Sequence, residues 1–135
     1  NVVPIINEND VTAIDELVFG DNDQLAAHVT YNFDASLLVI LTDIDGYYDL
    51  NPTTNKDAKI RKIVTNISSD ELDQDCCANS QFATGGIVTK LKAADFLIKN
   101  NLAMFLCSGF ELKYTQEFLL QNKHTKGTIF RRDDV

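Results

Sequence analysis

The sequence has little positive charge, no long apolar run and no signal-peptide pattern in its first residues. Its 135 residues include 12 lysines and arginines against 20 aspartates and glutamates, a formal net charge of −8. That balance argues against a nucleic-acid backbone or an anionic membrane as partner, although a local positive pocket for phosphate is still allowed. No stretch approaches the roughly 18 apolar residues of a membrane span, and the N-terminus lacks a basic-then-apolar signal pattern.

Cysteines and histidines are few and form no recognisable pattern. The chain has three cysteines, Cys76, Cys77 and Cys107, and the first two are adjacent. An odd number with an adjacent pair is unlike a secreted disulfide framework. His28 and His124 have no cysteine or histidine at ligand spacing. We therefore expect a reduced, cytoplasmic protein without a metal site or a histidine general base.

Apolar runs alternate with amphipathic segments, which is typical of an α/β layer fold. Hydrophobic residues at 44% and charged residues at 24% are ordinary for one globular domain or part of one. The predicted strands cover residues 2–6, 36–42, 102–107 and 127–130, and the predicted helices cover residues 23–33, 89–100 and 113–121. Residues 11–19 are interpreted as a hairpin, residues 43–71 as loop and turn, and residues 68–84 as irregular with one short helix.

Some of these predictions specify capping and burial. The run at 2–6 predicts a buried strand, and the run at 36–42 predicts a parallel strand covered on both faces. Asp23 is expected to cap its helix. The apolar faces of the first two helices are predicted from helical spacing to be Leu25, Ala26, Val29 and Phe33, and Leu91, Ala94, Leu97 and Ile98.

Two acidic-amide clusters lie near the start of the chain, at residues 7–10 (Asn-Glu-Asn-Asp) and 20–23 (Gly-Asp-Asn-Asp). The first directly follows a predicted strand, and ligands in open α/β sheets sit at the carboxyl ends of strands. Carboxylates and amides together suit a substrate with both an ammonium and a carboxylate, such as a free amino acid. Asx turns alone would also explain both clusters, so composition leaves the two interpretations open.

Two further segments have the chemistry of a nucleotide site. Thr42 and Asp43 follow the strand 36–42 with a hydroxyl and a carboxylate. In the turn that comes next, Tyr47 and Tyr48 are expected to offer an apolar or stacking surface. Residues 84–90 (Thr-Gly-Gly-Ile-Val-Thr-Lys) precede a predicted helix, where glycine amides, the helix N-terminus and a lysine suit a phosphate. The segment is neither a Walker A loop nor GxGxxG. Plain surface turns remain the alternative for each.

Taken together and in this order, the segments resemble the amino-acid kinase family over essentially the whole chain. The Thr-Asp-x-x-Gly-x-Tyr string at 42–48 and the Gly-Gly-x-x-Thr-Lys string at 85–90 are shared with relatives such as uridylate kinases. Residues 4–10 and 20–23 resemble the branch that phosphorylates the side-chain carboxylate of glutamate in proline biosynthesis. The resemblance implies a three-layer αβα sandwich of the carbamate-kinase-like type with a mainly parallel sheet, here as a partial domain.

The resemblance also implies roles for matching residues. Asp10 and Asn22 would bind glutamate, Asp23 would orient lysines near the transferred phosphate, and Lys90 would stabilise charge on the phosphoryl group. The implied nucleotide-binding residues are Thr42, Asp43, Thr84, Gly85, Gly86, Ile87, Val88, Thr89 and Lys90. ATP with Mg²⁺ would be a substrate without a protein metal ligand, and the family further implies homo-oligomers and feedback inhibition by proline.

Departures from the family concern both single residues and extent. Ala83 stands where glycine is frequent, and Ile87 where methionine is usual. The chain begins at Asn1 without an initiator methionine, and the family's N-terminal lysine, glycine-rich loop and serine have no counterpart. We expect residues 1–135 to be the C-terminal, nucleotide-binding part of one kinase domain, without an RNA-modification-like domain and inactive by themselves.

Two alternatives to a glutamate kinase remain. A uridylate kinase-like enzyme would need basic residues near its acceptor phosphate, where this chain has acidic and amide clusters. A non-catalytic amino-acid or nucleotide sensor on the same fold would have no use for Asp23 together with Lys90.

Overall fold

A mixed sheet with helices on both faces forms the centre of the protein. The structure is a computed structural model that describes residues 2–7, 22–73 and 85–133. Its strands are β1 (Leu37–Thr42), β2 (Ile63–Val64), β3 (Ala103–Ser108) and β4 (Thr128–Phe130). Its helices are α1 (Asn22–Asn32), α2 (Ser69–Leu72), α3 (Gly85–Lys99) and α4 (Leu112–Gln121). Within the described ranges, no helix has both the length and the apolar character needed to cross a bilayer.

The strand order is β1-β3-β4-β2, with two parallel pairs and one antiparallel pair. β1 and β3 run parallel, and Thr42 at the end of β1 lies opposite Ser108 at the end of β3. β4 runs antiparallel to β3, so Thr128 at its start lies opposite Leu106. The carboxyl ends of β1 and β3 and the beginning of β4 therefore lie along the same edge of the sheet, the edge at which these strands end or begin.

Alternate residues of β3 face two separate cores, as the period of a strand requires. Met104 and Leu106 pack in the larger core with the buried side chains of α1 and α3. Phe105 packs in the smaller core below α4, with its ring stacked on Phe118 at a centroid distance of 3.9 Å. The predicted three-layer αβα arrangement is confirmed.

Most predicted elements are confirmed, because their apolar patterns are strong and local. β1, β3, β4 and α4 begin and end within one residue of the predicted bounds. The predicted face of α3 is buried, with Leu91, Ala94, Leu97 and Ile98 all at most 9% exposed. The short helix expected after residue 68 is α2. Ser68 and Glu71 cap its N-terminus with reciprocal hydrogen bonds.

The prediction of a buried strand at residues 2–6 is wrong. The segment has no regular secondary structure, and Val2, Val3 and Ile5 are 92%, 86% and 97% exposed. An apolar run becomes a buried strand only where another strand pairs with it, and no described strand does so here. β1 is paired with β3, but the described residues do not cover both of its faces. It lies at an edge of the sheet formed by the described residues, and Leu41 is 48% exposed.

The predictions for α1 and for the loops need smaller corrections. Asp23 lies in the first turn of α1 and not at its cap. The buried residues of α1 are Ala27 and Thr30, whereas Phe33 is 72% exposed. The loop 43–71 contains β2, a two-residue strand too short for a periodic signal. The predicted hairpin at 11–19 and residues 74–84 lie outside the described residues.

Candidate active site

The N-terminal ends of α1 and α3 meet at an ion pair between Asp23, in the first turn of α1, and Lys90, in the second turn of α3. Lys90 Nζ lies 3.0 Å from Asp23 Oδ2, and the two side chains are only 15% and 21% exposed. Thr89 Oγ1 donates to the same carboxylate oxygen at 3.0 Å, and Gln24 Nε2 donates to the Thr89 carbonyl at 3.0 Å. Residues some 67 positions apart in sequence are thus joined by direct bonds.

This arrangement places a fixed cation beside two helix N-termini. Lys90 Nζ also donates to the Gly86 carbonyl at 3.2 Å, so the ammonium is held over the first turn of its own helix. Helix N-termini carry partial positive charge and present N–H groups without helical partners. Together with a lysine, such ends suit an anion as charged as a phosphate.

The glycine pair is part of α3 and not a loop in front of it. α3 begins at Gly85, four residues before the predicted start. The prediction failed because glycine weakens a helix interior, although it is tolerated in a first turn. A Cβ at Gly86 would meet only Lys90 Nζ at 3.9 Å, so packing within the described protein does not require glycine there.

The rest of the 84–90 segment divides between core and surface. Ile87 and Val88 are 8% and 2% exposed, so their side chains belong to the core. The departure at Ile87 from the methionine that the family resemblance implies therefore concerns packing. Thr84 and Ala83 lie outside the described residues.

Thr42 and Asp43 lie at the carboxyl end of β1, as predicted, and next to the end of β3. Thr42 Oγ1 donates to Asp43 Oδ1 at 3.0 Å, and the Gly109 N–H donates to the Thr42 carbonyl at 2.7 Å. Sequence reasoning missed Gly109 and Phe110, whose ring is 85% exposed at the same edge. The signal was available, since Ser108-Gly109 follows an apolar strand just as Thr42-Asp43 does.

The turn after β1 is fastened through Tyr47. The Tyr47 N–H donates to Thr128 Oγ1 at 2.8 Å, and its hydroxyl donates to Glu71 Oε1 at 2.6 Å. The Arg61 guanidinium lies 5.1 Å from the Tyr47 ring centroid and donates to Glu71 at 2.7 Å. Tyr47 is only 8% exposed, so the expectation that it offers a stacking surface is wrong. The burial of Tyr47 was not predictable from the sequence, because its partners Thr128 and Glu71 come from distant segments.

The tyrosines of the turn have raised pKa values. Burial, followed by the hydrogen bond to Glu71, raises the pKa of Tyr47 strongly. Burial and the hydrogen bond to Asp45 raise the pKa of Tyr48 to about 12. Both hydroxyls are therefore neutral donors at physiological pH.

Glu71→Gln should reduce stability at neutral pH and lose this effect in acid. Burial alone would raise the pKa of Glu71, but hydrogen bonds from Tyr47, Ser68 and Arg61 outweigh burial and lower it. A depressed folded pKa contributes stability above the unfolded value, about 4.3, which is lost as pH falls through the folded value. Urea unfolding of the intact natural protein should show a deficit of about 1–2 kcal/mol at pH 7. The deficit should shrink below about pH 4.

Asp70→Asn is the control for that experiment, because Asp70 lies on the same helix with an exposed side chain. Its free energy of unfolding should follow the wild type at both pH values. A Glu71→Gln deficit that is the same at pH 7 and at about pH 3 would contradict the assignment of the ionised carboxylate.

The acidic-amide clusters meet through their amide side chains. Asn22 Nδ2 donates to Asn7 Oδ1 at 3.2 Å, at one end of a groove of about 390 Å³ between residues 4–7 and α1. The other lining residues of the groove are Pro4, Ile6, Leu25, Ala26, Val29, Thr30 and Leu38. Asp10, the second predicted glutamate-binding residue, lies outside the described residues.

The histidines and the described cysteine have structural contacts. The His28 ring lies 4.3 Å from the Phe96 ring centroid, and His124 Nε2 lies 2.9 Å from the Gly127 carbonyl oxygen. The Cys107 thiol is buried and free. In the part of the chain that the structure describes, no group of three His, Cys, Asp or Glu residues is arranged to hold a metal ion.

Comparison with known proteins supplies the family. The model of the amino acid kinase family matches residues 1–108. The chain belongs to this family. It is 56% identical over 129 residues to a glutamate 5-kinase of Leishmania donovani, covering 96% of this chain and 49% of that protein. It is 55% identical over 133 residues to a glutamate 5-kinase of Wolinella succinogenes, covering 96% of this chain and 51% of that protein.

The chain thus spans about half the length of these amino acid kinase relatives. Solved structures agree on the fold. An isopentenyl phosphate kinase in a substrate complex matches with a TM-score of 0.58 at 18% identity, covering 82% of this chain and 39% of that one. A T. acidophilum isopentenyl phosphate kinase in a product complex matches with a TM-score of 0.59 at 20% identity, with the same coverage. The amino acid kinase fold is therefore shared.

Proposed function

We propose that the protein is an ATP-dependent kinase that phosphorylates the side-chain carboxylate of L-glutamate, the first step of proline biosynthesis. The observation that carries this proposal is the Asp23–Lys90 pair between the N-terminal ends of α1 and α3. The second support is the 55–56% identity to proteins named glutamate 5-kinase. A pair of this kind supplies a positioned positive charge, which is the main demand of phosphoryl transfer.

The proposed step needs no general base. A side-chain carboxylate oxygen of glutamate forms a bond to the γ-phosphorus of ATP while the bond from that phosphorus to the bridging oxygen breaks. The products are glutamyl 5-phosphate and ADP. Because a glutamate carboxylate with a pKa of about 4.3 is already ionised at neutral pH, no proton has to be removed. Mg²⁺ enters as part of the MgATP substrate.

The nucleotide would lie across the carboxyl ends of β1 and β3. Thr42 and Asp43 supply a hydroxyl and a carboxylate there, and the backbone of residues 84–89 with Lys90 would receive the phosphates. In open α/β sheets this edge is the usual ligand position. Asp23 would hold Lys90 in orientation, since it accepts the ammonium hydrogen bond at 3.0 Å.

Glutamate would bind at the acidic-amide clusters, through Asp10 and Asn22. The Asn22–Asn7 hydrogen bond brings amide groups from both clusters together at the end of the groove. Amide oxygens accept from an ammonium and amide N–H groups donate to a carboxylate, so one site can hold both ends of a free amino acid.

Gly86→Ala tests whether the helix start receives phosphate. Nothing in the described protein lies closer than 3.9 Å to the added Cβ, so alanine should raise stability by about 0.5–1 kcal/mol. If the Gly86 backbone approaches a phosphate, the same methyl group should raise the KM for ATP severalfold. Thermal unfolding and initial rates of the intact protein measure both effects. A more stable variant with an unchanged KM for ATP would remove Gly86 from the nucleotide site.

An acceptor panel tests the function itself. The intact protein is incubated with MgATP and either glutamate, aspartate, N-acetylglutamate or UMP, and ADP release is followed. We expect release only with glutamate. Release with UMP alone would establish the uridylate kinase-like alternative. ATP binding without release for any acceptor would establish the sensor.

Location, assembly and regulation complete the proposal. A reducing, cytoplasmic setting fits the free thiol of Cys107. Homo-oligomers and feedback inhibition by proline, acting at or near the glutamate site, are proposed from the family resemblance.

A further inference from the structure

We propose that Thr128 is a positioning residue for the nucleotide, because its buried hydroxyl fixes the turn that follows Thr42 and Asp43. The inference rests on the proposed function, in which the nucleotide binds at the end of β1. Thr128 itself lies on β4, two strands away from β1 in the sheet. In the described part of the chain, Thr128 has no hydrogen bond to Thr42 or Asp43, so any effect of Thr128 on nucleotide binding would be transmitted through the turn at residues 43–47.

The turn crosses the carboxyl end of β3. It leaves β1 at Thr42, opposite Ser108, and reaches Tyr47, whose N–H donates to Thr128 Oγ1 at 2.8 Å. Since neighbouring strands lie about 4.8 Å apart, residues 43–46 span roughly 10 Å, the width of two strand spacings. From Thr42 to Tyr47 the chain takes five Cα-to-Cα steps, which could reach about 17 Å when extended, so the path of the turn depends on where its far end is held.

The far end of the turn is held at both backbone groups of Tyr47. Its carbonyl accepts from the Arg61 N–H at 2.7 Å, while its N–H has Thr128 as acceptor. Gly46, the residue before Tyr47, is closely packed between Ile60 and Thr128. A Cβ on Gly46 would stand 2.7 Å from Ile60 Cγ2 and 3.2 Å from Thr128 Oγ1. If the Tyr47 N–H, which the Thr128 hydroxyl holds, moves, the closely packed turn should move with it toward Asp43.

The hydroxyl group, and not the shape of the side chain, carries this role. Thr128 is fully buried and Tyr47 is 8% exposed, so water cannot replace the lost acceptor. Valine has the shape of threonine without the oxygen, and the Tyr47 N–H would then be buried without a partner. The backbone would relieve that cost by moving the turn, which would displace Asp43 relative to Thr42, whose carbonyl is held by the Gly109 N–H.

Direct titration of the intact protein with MgATP tests the proposal, together with KM values for both substrates. Thr128→Val should raise the Kd for ATP about five- to tenfold, the effect expected if the displaced turn loses one hydrogen bond to the nucleotide. The KM for glutamate should stay within about twofold, because the acidic-amide clusters are on other elements. Thr128→Ser, which restores the acceptor, should bring the Kd for ATP back toward the wild-type value.

Thr115→Val is the matched control. Thr115 is also buried, at 7% exposed, but its Oγ1 has no hydrogen-bond partner among the described residues. The same substitution there should leave the Kd for ATP unchanged. If Thr128→Val does not accumulate as a folded protein, Thr128→Cys, with its weaker acceptor, should show a smaller rise in the same direction.

Several results would overturn the inference. A folded Thr128→Val protein, or Thr128→Cys in its place, with a wild-type Kd for ATP would do so while leaving the proposed function intact. Equal rises in both KM values without rescue by serine would show a merely structural role. Failure of the wild type to bind MgATP would overturn the proposed nucleotide site and this inference together.

Discussion

Replacing Lys90 with methionine is expected to lower kcat by about 10²–10³-fold, the usual cost of removing one group that stabilises charge in a transition state. Methionine keeps much of the apolar stem and removes the ammonium that lies 3.0 Å from Asp23. Because the proposed target of that ammonium is the charge on the transferring phosphoryl group, the KM for glutamate should change by no more than about twofold. Steady-state kinetics of the intact protein measure both quantities.

Lys92→Met is the control for the Lys90 experiment. Lys92 lies two residues further along α3 with an exposed side chain, so its removal changes the net charge equally without touching the Asp23 pair. Its kcat should remain close to that of the wild type. A Lys90→Met protein that is folded and turns over at the wild-type rate would remove Lys90 from the catalytic machinery.

Gly127→Ala should cause the largest loss of stability among single substitutions considered for this fold. Gly127 has a φ of +91°, which an L side chain rarely adopts. A Cβ there would stand 2.6 Å from Phe105 Cζ and 2.9 Å from the Leu106 carbonyl oxygen. Phe105 is fully buried and stacked at 3.9 Å on Phe118, so the ring cannot withdraw. The free energy of unfolding should fall by about 2–4 kcal/mol.

The matched glycine for this comparison is Gly109. A Cβ at Gly109 would meet Leu41 Cβ at 3.4 Å, an ordinary contact, and no positive φ is recorded there. Gly109→Ala should therefore change the free energy of unfolding by less than about 1 kcal/mol. Urea unfolding of the two variants of the intact protein provides the comparison. Equal effects at positions 127 and 109 would contradict the steric account.

Local sequence patterns predicted most of the helices and strands. They did not predict which residues would be buried by distant segments of the chain. The apolar runs that became β1 and β3 and the helical period of α4 are properties of short windows, which explains their accurate bounds. The same kind of period predicted the buried face of α3, although not its first residues. Whether a run is covered depends on what pairs with it. That is why Val2 and Ile5 are exposed although their sequence is as apolar as a core strand.

The sequence indicates which residues to propose for the candidate site, but it does not indicate which of them are in contact. Asp23 and Lys90 are separated by 67 positions, and no spacing in the sequence places them 3.0 Å apart. Their pairing follows from the packing of α1 against α3, and before the structure it was reachable only through the family resemblance. Thr128 had no signal at all, because a threonine after glycine at the start of a strand is unremarkable in sequence.

Trapping of the product with hydroxylamine tests the central claim most directly, that this protein phosphorylates a glutamate carboxylate. The intact protein is incubated with MgATP, glutamate and hydroxylamine, which converts an acyl phosphate to a hydroxamate. We predict glutamyl hydroxamate and ADP in equal amounts, and a loss of both in Lys90→Met. Glutamate-dependent ADP release with no hydroxamate would contradict the account, since the phosphoryl group would then not have reached the carboxylate.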